Sequence, residues 1–140
     1  MTASVTSERP GKRDRLVAGA RETIYRQGVE ATTIADIAEA SDVPVGNVYY
    51  YFKSKDELVA AAIDSYAQDS RERLSQLEQQ FKAMGRRDAL DLAFALLASY
   101  EGTALLANTF RDPELMIREG RRLERWIDSL ARDSKDAPTG

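Results

Sequence analysis

The sequence contains no cysteine and no histidine among its 140 residues. The absence of cysteine excludes disulfides, thiolate nucleophiles and thiolate metal ligands, and the absence of histidine removes the side chain most often used for proton transfer near neutral pH. Because no nucleophile–base pair or metal-ligand cluster can be assigned, we expect neither an enzyme nor a bound metal or cofactor. The first 30 residues also lack the apolar core of a secretory signal, so we expect a cytoplasmic protein.

Glycine and proline are scarce, with 8 and 4 residues, whereas 43% of the chain is hydrophobic and 31% is charged. This composition is typical of an ordered, helical, soluble domain. The longest apolar-rich stretch, residues 89–107, is nearly long enough to span a membrane, but it contains Asp91 and Glu101. Each carboxylate would cost about 2.5–3.5 kcal/mol at a bilayer centre, so we expect a buried helix and no membrane partner.

Apolar periodicity and capping signals predict an all-α chain of six helices. The first runs from Lys12 to Gln27, where Gly28 would leave the helix in a left-handed conformation. Further capping signals are Thr33 with Asp36, Ser54 with Glu57, and Asp112 before Pro113. They place the remaining helices at residues 33–41, 44–51, 55–84, 86–108 and from residue 113 onward.

The first three predicted helices, within residues 12–54, have the arrangement of a helix-turn-helix unit. In such a unit two helices are joined by a tight turn, and the second of them enters a major groove of DNA. Residues 44–55 contain no acidic side chain. Asn47 can hydrogen-bond an adenine edge, tyrosine hydroxyls and Lys55 can contact phosphates, and Gly46 lets the backbone approach DNA closely. Val48 and Phe52, four residues apart, are expected to hold this helix on the other two.

The segment ATTIADIAEASDVPVGNVYYYFKSKDEL resembles the DNA-binding domain of the TetR/AcrR family of one-component transcriptional regulators. The resemblance covers roughly residues 12–62 and implies a homodimer on a palindromic operator, most often a repressor. It also implies release when a small molecule of unidentified structure enters the C-terminal helical domain. The DNA-contacting residues that chemistry and resemblance predict together are Arg13, Thr33, Val45, Gly46, Asn47, Tyr49, Tyr50 and Lys55.

Within that set, the resemblance implies a phosphate contact for Thr33 and base-edge contacts for Val45, Asn47 and Tyr50. It implies backbone contacts for Tyr49 and Lys55, and phosphate contacts for Arg13 and the arm before it.

Family members usually have about five helices after the fourth, whereas only two are predicted here. These two resemble the family's last pair, so the helices that enclose most of the ligand pocket are expected to be missing. The fifth helix is apolar over most of its circumference and must be covered on all sides. The predicted dimer-interface residues on the fifth and sixth helices are Leu90, Phe94, Leu97, Leu105, Leu123 and Ile127.

The predicted organisation is therefore a flexible arm at residues 1–11, the helix-turn-helix domain at 12–54, a shortened helical dimerisation and regulatory region at 55–132, and a flexible tail at 133–140. The long fourth helix links the two folded parts. Two rival functions remain open. A helical protein–protein interaction module would show no salt-dependent DNA binding, and a small-molecule-binding protein would leave duplex DNA unbound.

Overall fold

The computed structural model describes residues 8–135 of the chain. These residues form six α-helices and no β-strand, which confirms the predicted all-α class. The helices are α1 (Lys12–Gln27), α2 (Ile34–Ser41), α3 (Val45–Tyr51), α4 (Lys55–Ala83), α5 (Ala89–Phe110) and α6 (Glu114–Lys135). Most of the predicted arm and the end of the predicted tail lie outside the described residues.

The chain divides into two compact units, Met1–Gln68 and Asp69–Gly140. The core of the first unit is formed by side chains from α1, α2, α3 and the beginning of α4, including Leu16, Ile37, Val48 and Leu58, which are fully buried. The first turns of α4 therefore belong to the core of the helix-turn-helix unit. Burying aliphatic side chains of this size stabilises a domain by about 1.5–3 kcal/mol each.

The second unit is centred on Phe81, Ala89, Ala93 and Leu130. Trp126 packs against this cluster, with its ring centroid 6.3 Å from that of Phe81. The buried positions of α5 are the alanines Ala89, Ala93 and Ala107. Small side chains at a helix contact allow two backbones to approach closely, and the half-buried Leu92 and Leu96 of α5 pack against the cluster beside the alanines.

Within the described residues of one chain, α5 is not covered on all sides. Leu90, Phe94 and Leu105 are 52%, 63% and 56% exposed. The face that α5 presents to its own unit consists of the buried alanines with the half-buried Leu92 and Leu96. Coverage of the exposed side by a second copy stays a prediction.

The starts of α3, α5 and α6 also differ from the predicted ones, and α6 begins at Glu114 rather than Pro113. α5 begins at Ala89 rather than Arg86, because Gly85 has φ 83° and Arg86 donates two hydrogen bonds of 2.9 Å to the Asp88 carboxylate, which closes a short turn. α3 begins at Val45, with Pro44 as the residue before the helix. The Asp112 carboxylate accepts a hydrogen bond from the Glu114 N–H at the start of α6, as its capping role requires.

Candidate nucleic-acid interface

The third helix, α3, has one buried side and one exposed side. Val48 is fully buried and Phe52, the residue that ends the helix, is 4% exposed, so both anchor α3 on the core. On the other side, Val45, Tyr49 and Tyr50 are 47%, 57% and 85% exposed. The predicted division between supporting and presented residues therefore describes this helix correctly.

The remaining predicted contact residues of this segment also lie at the surface. Gly46 is exposed, and a Cβ built at this position would meet no atom within 4 Å. Asn47 and Lys55 are half-buried. The segment from Pro44 to Lys55 thus presents methyl, amide, phenol and ammonium groups and no carboxylate. Such a surface can contact both base edges and phosphates.

Thr33 caps the N-terminus of α2. Its hydroxyl oxygen accepts a hydrogen bond of 3.1 Å from the Asp36 N–H, and the Asp36 carboxylate accepts one of 3.0 Å from the Thr33 N–H. The Thr33 backbone hydrogen bond is the main cause that lowers the pKa of Asp36 below its ordinary value. Because the hydroxyl accepts in this capping box, its own proton is left to donate to another acceptor, such as a phosphate oxygen.

Arg13 and Lys55 both lie near the C-terminal end of α3. The Arg13 guanidinium lies 5.2 Å from the centroid of the Phe52 ring, a cation–π contact that orients the arginine beside the end of α3. Lys55 is the first residue of α4. The Ser54 hydroxyl caps this helix as predicted, but the Glu57 carboxylate accepts from the Lys53 N–H at 2.9 Å.

The turn between α2 and α3 has a left-handed residue that the sequence pattern did not identify. Asp42 has φ 53° and ψ 47°, and its N–H donates to the Glu39 carbonyl at 3.2 Å. The next N–H, from Val43, reaches back to the Ala38 carbonyl at 3.1 Å, and the Val43 side chain is buried. These two bonds form a Schellman motif, which ends α2 and redirects the chain into α3.

Two further features of the site depend on residues far apart in sequence. A Cβ at Gly19 of α1 would overlap the Ser41 hydroxyl oxygen, so α1 and α2 approach too closely for any side chain there. Arg9, just before α1, donates a 2.6 Å hydrogen bond to the Asp42 carboxylate. The two partners are 33 residues apart in sequence, so no local pattern connects them.

The six predicted dimer-interface residues are not equally exposed. Leu90, Phe94 and Leu105 lie at the surface of α5, and Leu97 and Ile127 are half-buried. Leu123 is 7% exposed within its own chain, so it is not available as a surface contact. Three of the six predicted interface residues are therefore exposed on one helix, α5.

The part of the chain from residue 8 to residue 135 contains no group of three or more acidic side chains arranged to hold a metal ion. In the same residues, one helix, Ala89–Phe110, is long and apolar enough to cross a membrane by length and composition alone. Asp91 and Glu101 lie within it, and the Glu101 carboxylate is 3.7 Å from the Arg73 guanidinium of α4. Charged side chains within this helix, one of them paired with a neighbouring helix of the same unit, are costly in lipid, so they favour an aqueous environment for α5.

Comparison with known proteins finds a family model and several relatives that this chain resembles. Residues 16–62 match the model of the bacterial regulatory proteins of the TetR family. The chain is 32% identical over 118 residues to the probable HTH-type transcriptional regulator ArpR of Pseudomonas putida. It has the same identity over the same length to the HTH-type transcriptional regulator TtgR of that species. Each match covers 83% of this chain and 54% of the relative. It is 30% identical over 66 residues to the HTH-type transcriptional repressor KstR2 of Mycolicibacterium smegmatis, covering 47% of this chain and 32% of that protein. The chain thus spans about half the length of the first two relatives.

The first two matches also bear on which family helices α5 and α6 resemble. An alignment of 118 residues that includes 83% of this chain and 54% of the relative contains stretches of nearly equal length from the two proteins. In a chain of 140 residues, any stretch of that length includes all of α5. There is no room in it for additional helices between α4 and α5, so the comparison speaks against the interpretation of α5 and α6 as the family's last pair.

Proposed function

Because the chain belongs to the TetR family of bacterial regulatory proteins through residues 16–62, we propose that it is a sequence-specific DNA-binding transcriptional regulator. The observation that carries this proposal is the exposed side of α3. Tyr50 is 85% exposed, and Val45 and Tyr49 on the same side are 47% and 57% exposed. Together with the exposed Gly46 and the half-buried Asn47, they form a surface without a carboxylate that suits the major groove.

Each exposed group has a distinct task in this proposal. Asn47 pairs with an adenine edge, and Val45 and Tyr50 contact base edges in the major groove. Tyr49, Lys55, Thr33 and Arg13 contact phosphates, which fixes the position of α3 and makes binding salt-dependent. Gly46 allows the backbone of α3 to approach the duplex without a side chain in between.

A homodimer is the second element of the proposal. One helix of seven residues reads too few bases for tight specific binding, and two copies placed about 34–36 Å apart enter successive major grooves on one side of the duplex. The exposed apolar side chains of α5, with Phe94 at 63% exposure, support a second copy as the covering surface. Residues Leu90, Phe94, Leu97 and Leu105 are the proposed contacts of α5, and Ile127 is that of α6.

A repressor that releases its operator when it binds a small molecule is the finer form of this function. The printed name of the Mycolicibacterium smegmatis relative, a transcriptional repressor, supports the repressor role. The effector rests on the family resemblance alone, and its chemical class is not identified. A cytoplasmic location follows from the proposed access to DNA.

The test of DNA recognition starts with selection of bound sequences from a random duplex library. We expect a palindromic consensus, which the purified chain binds more tightly than a random duplex. Asn47→Ala should then lose about 1–3 kcal/mol of the discrimination between the two duplexes, whereas Lys55→Ala should weaken binding to both by similar factors. Equal losses for Asn47→Ala on both duplexes would contradict base readout, and absence of any salt-dependent binding would favour the protein–protein interaction module.

The test of dimerisation is sedimentation of an α5 variant. Phe94→Asp places a charge on the exposed apolar surface and should convert a dimer to a monomer, because an unpaired carboxylate is costly to bury in an interface. Ile117→Asp is the matched control, since Ile117 is an exposed aliphatic residue of α6 outside the proposed contacts. An unchanged sedimentation mass for Phe94→Asp would refute the assignment of α5.

A further inference from the structure

The turn that precedes the recognition helix holds a basic residue of the N-terminal segment. The Arg9 guanidinium donates a 2.6 Å hydrogen bond to the Asp42 carboxylate. Arg15 of α1 donates to the Asp42 carbonyl oxygen at 3.2 Å and lies 3.9 Å from its carboxylate. The Asp42 carboxylate thus lies close to two arginine side chains, one from the segment before α1 and one from α1 itself.

This contact is poorly suited to a structural role. The side chains of Arg9 and Asp42 are 66% and 85% exposed. Ion pairs at such exposure contribute little to stability, because water screens the attraction and ordering two side chains costs entropy. The turn itself is already closed by the two backbone hydrogen bonds of the Schellman motif, so it does not need Arg9 to hold its shape.

The contact is well suited to holding a cation near DNA. Asp42 lies three residues before Val45, so its Cα is at most about 11 Å from that of the first residue of α3. A guanidinium has five N–H donors in a fixed fork, and the bond to Asp42 uses one nitrogen. The other donors of Arg9 are left to contact a phosphate at the same time.

We propose that Asp42 is a positioning residue that holds Arg9 beside the start of α3, where Arg9 contacts a phosphate of the bound duplex. This inference rests on the proposed DNA-binding function and adds a positioning role for Asp42, which the family resemblance did not predict. Without its arginines, a carboxylate at this place would repel the DNA backbone. With them, it fixes the direction of Arg9 before binding, which lowers the entropy lost when the complex forms.

Hydrogen bonding from Arg9 lowers the pKa of Asp42 below its ordinary value of 3.8. The carboxylate is therefore ionised in the neutral pH range in which DNA binding is measured.

The experiment measures binding of the full-length chain to the duplex recovered by selection, at several salt concentrations, by fluorescence anisotropy. Arg9→Ala should weaken binding by about three- to tenfold and reduce the magnitude of the slope of log K against log salt by about 0.9, the value for one phosphate contact. Asp42→Gly, which keeps a backbone suited to φ 53°, should change both quantities in the same direction but by less, because an exposed ion pair biases the position of Arg9 by no more than about fivefold. The double variant should bind no more weakly than Arg9→Ala alone.

The control is Glu39→Ala, which removes another exposed carboxylate from the same turn region without touching Arg9. Loss of a negative charge alone should leave binding unchanged or tighten it. If Asp42→Gly tightens binding as the control does, or if its effect multiplies with that of Arg9→Ala, the proposal is wrong. If the unaltered chain fails to distinguish the selected duplex from a random one, the proposed function itself fails, and this result is separate from the comparison of variants.

Asp42→Asn provides a second variant with an intact fold. Asparagine tolerates the left-handed conformation but carries no charge, so Arg9 should be held more weakly and the salt slope should fall between those of the unaltered chain and Asp42→Gly. A slope equal to that of the unaltered chain would show that the charge of Asp42 does not hold Arg9. Circular dichroism confirms for each variant that helix content is retained.

Discussion

Replacement of Gly19 by alanine tests the packing that supports the recognition helix. A methyl group at this position would overlap the Ser41 hydroxyl oxygen and lie 3.2 Å from both the Ser41 Cβ and the Ile37 carbonyl oxygen. The hydroxyl also donates a 2.6 Å hydrogen bond to that carbonyl, so it cannot move aside without losing a bond. α1 and α2 must therefore separate to admit the methyl group.

The expected magnitude combines two opposing effects. Overpacking of this kind typically costs about 1–3 kcal/mol. Alanine is better than glycine in a helix interior by about 1 kcal/mol, which offsets part of the cost. We therefore expect Gly19→Ala to lower the free energy of unfolding by up to about 2 kcal/mol, measured by urea denaturation of the full chain and followed by circular dichroism.

A double-mutant cycle separates the clash from other effects. In the Ser41→Ala background the overlapping oxygen is absent, so Gly19→Ala should cost about 1 kcal/mol less than in the unaltered chain. The two contacts at 3.2 Å persist, and the cost should not vanish. A stabilising effect of Gly19→Ala, or an equal cost in both backgrounds, would refute the close approach of α1 and α2.

Three other substitutions or conditions test separate parts of the structure. Gly46→Ala should leave the unfolding midpoint unchanged or higher, since the added methyl group meets no protein atom within 4 Å. The same methyl group would crowd the duplex and should weaken operator binding by about 1–3 kcal/mol. Equal binding would show that the backbone of α3 does not approach DNA. Arg111→Gly should raise the free energy of unfolding by about 1 kcal/mol in urea denaturation, because Arg111 ends α5 at φ 53° and glycine adopts this conformation without strain. A lower free energy of unfolding would mean that the arginine side chain has a stabilising contact. Since the pKa of Asp36 is lowered in the folded chain, its contribution to stability is present above its ordinary value of 3.8 and is lost as pH falls through the folded value. Asp36→Asn should therefore reduce stability at pH 7 and flatten this acid loss, and a parallel pH profile would contradict the role of the capping box.

Local signals in the sequence predicted the helices well. The bounds of α1 were predicted at both ends, because Gly28 ends it with φ 82°. Its ψ of 164° is extended rather than left-handed, in a region that only glycine adopts freely, so the signal was correct although the conformation was different. The capping box of Thr33 and Asp36 was also correct, since a cap depends only on residues three positions apart.

Features that depend on distant residues could not be predicted. The contact of Gly19 with Ser41 and that of Arg9 with Asp42 join residues 22 and 33 positions apart, and no periodicity connects them. The exposure of α5 had the same cause. Its composition indicated a covered helix, but which of its apolar residues face the unit was decided by the alanines that α6 packs against.

The candidate site lies between these two cases. The exposed side of α3 was predicted from the chemistry of its residues, and the buried side from the spacing of Val48 and Phe52. The residues that hold neighbouring cations, Asp42 and the Phe52 ring beneath Arg13, required three-dimensional packing to identify.

The central claim is that α3 of two copies enters successive major grooves of one duplex. The chain contains no cysteine, so Lys53→Cys, at an exposed residue directly after α3, allows a DNA-cleaving reagent to be attached at one place. We predict that cleavage of the selected duplex is concentrated at two positions about 10–10.5 base pairs apart, or a multiple of that spacing, and related by the symmetry of the palindrome. Uniform cleavage along the duplex, or a single cleaved position, would contradict the claim.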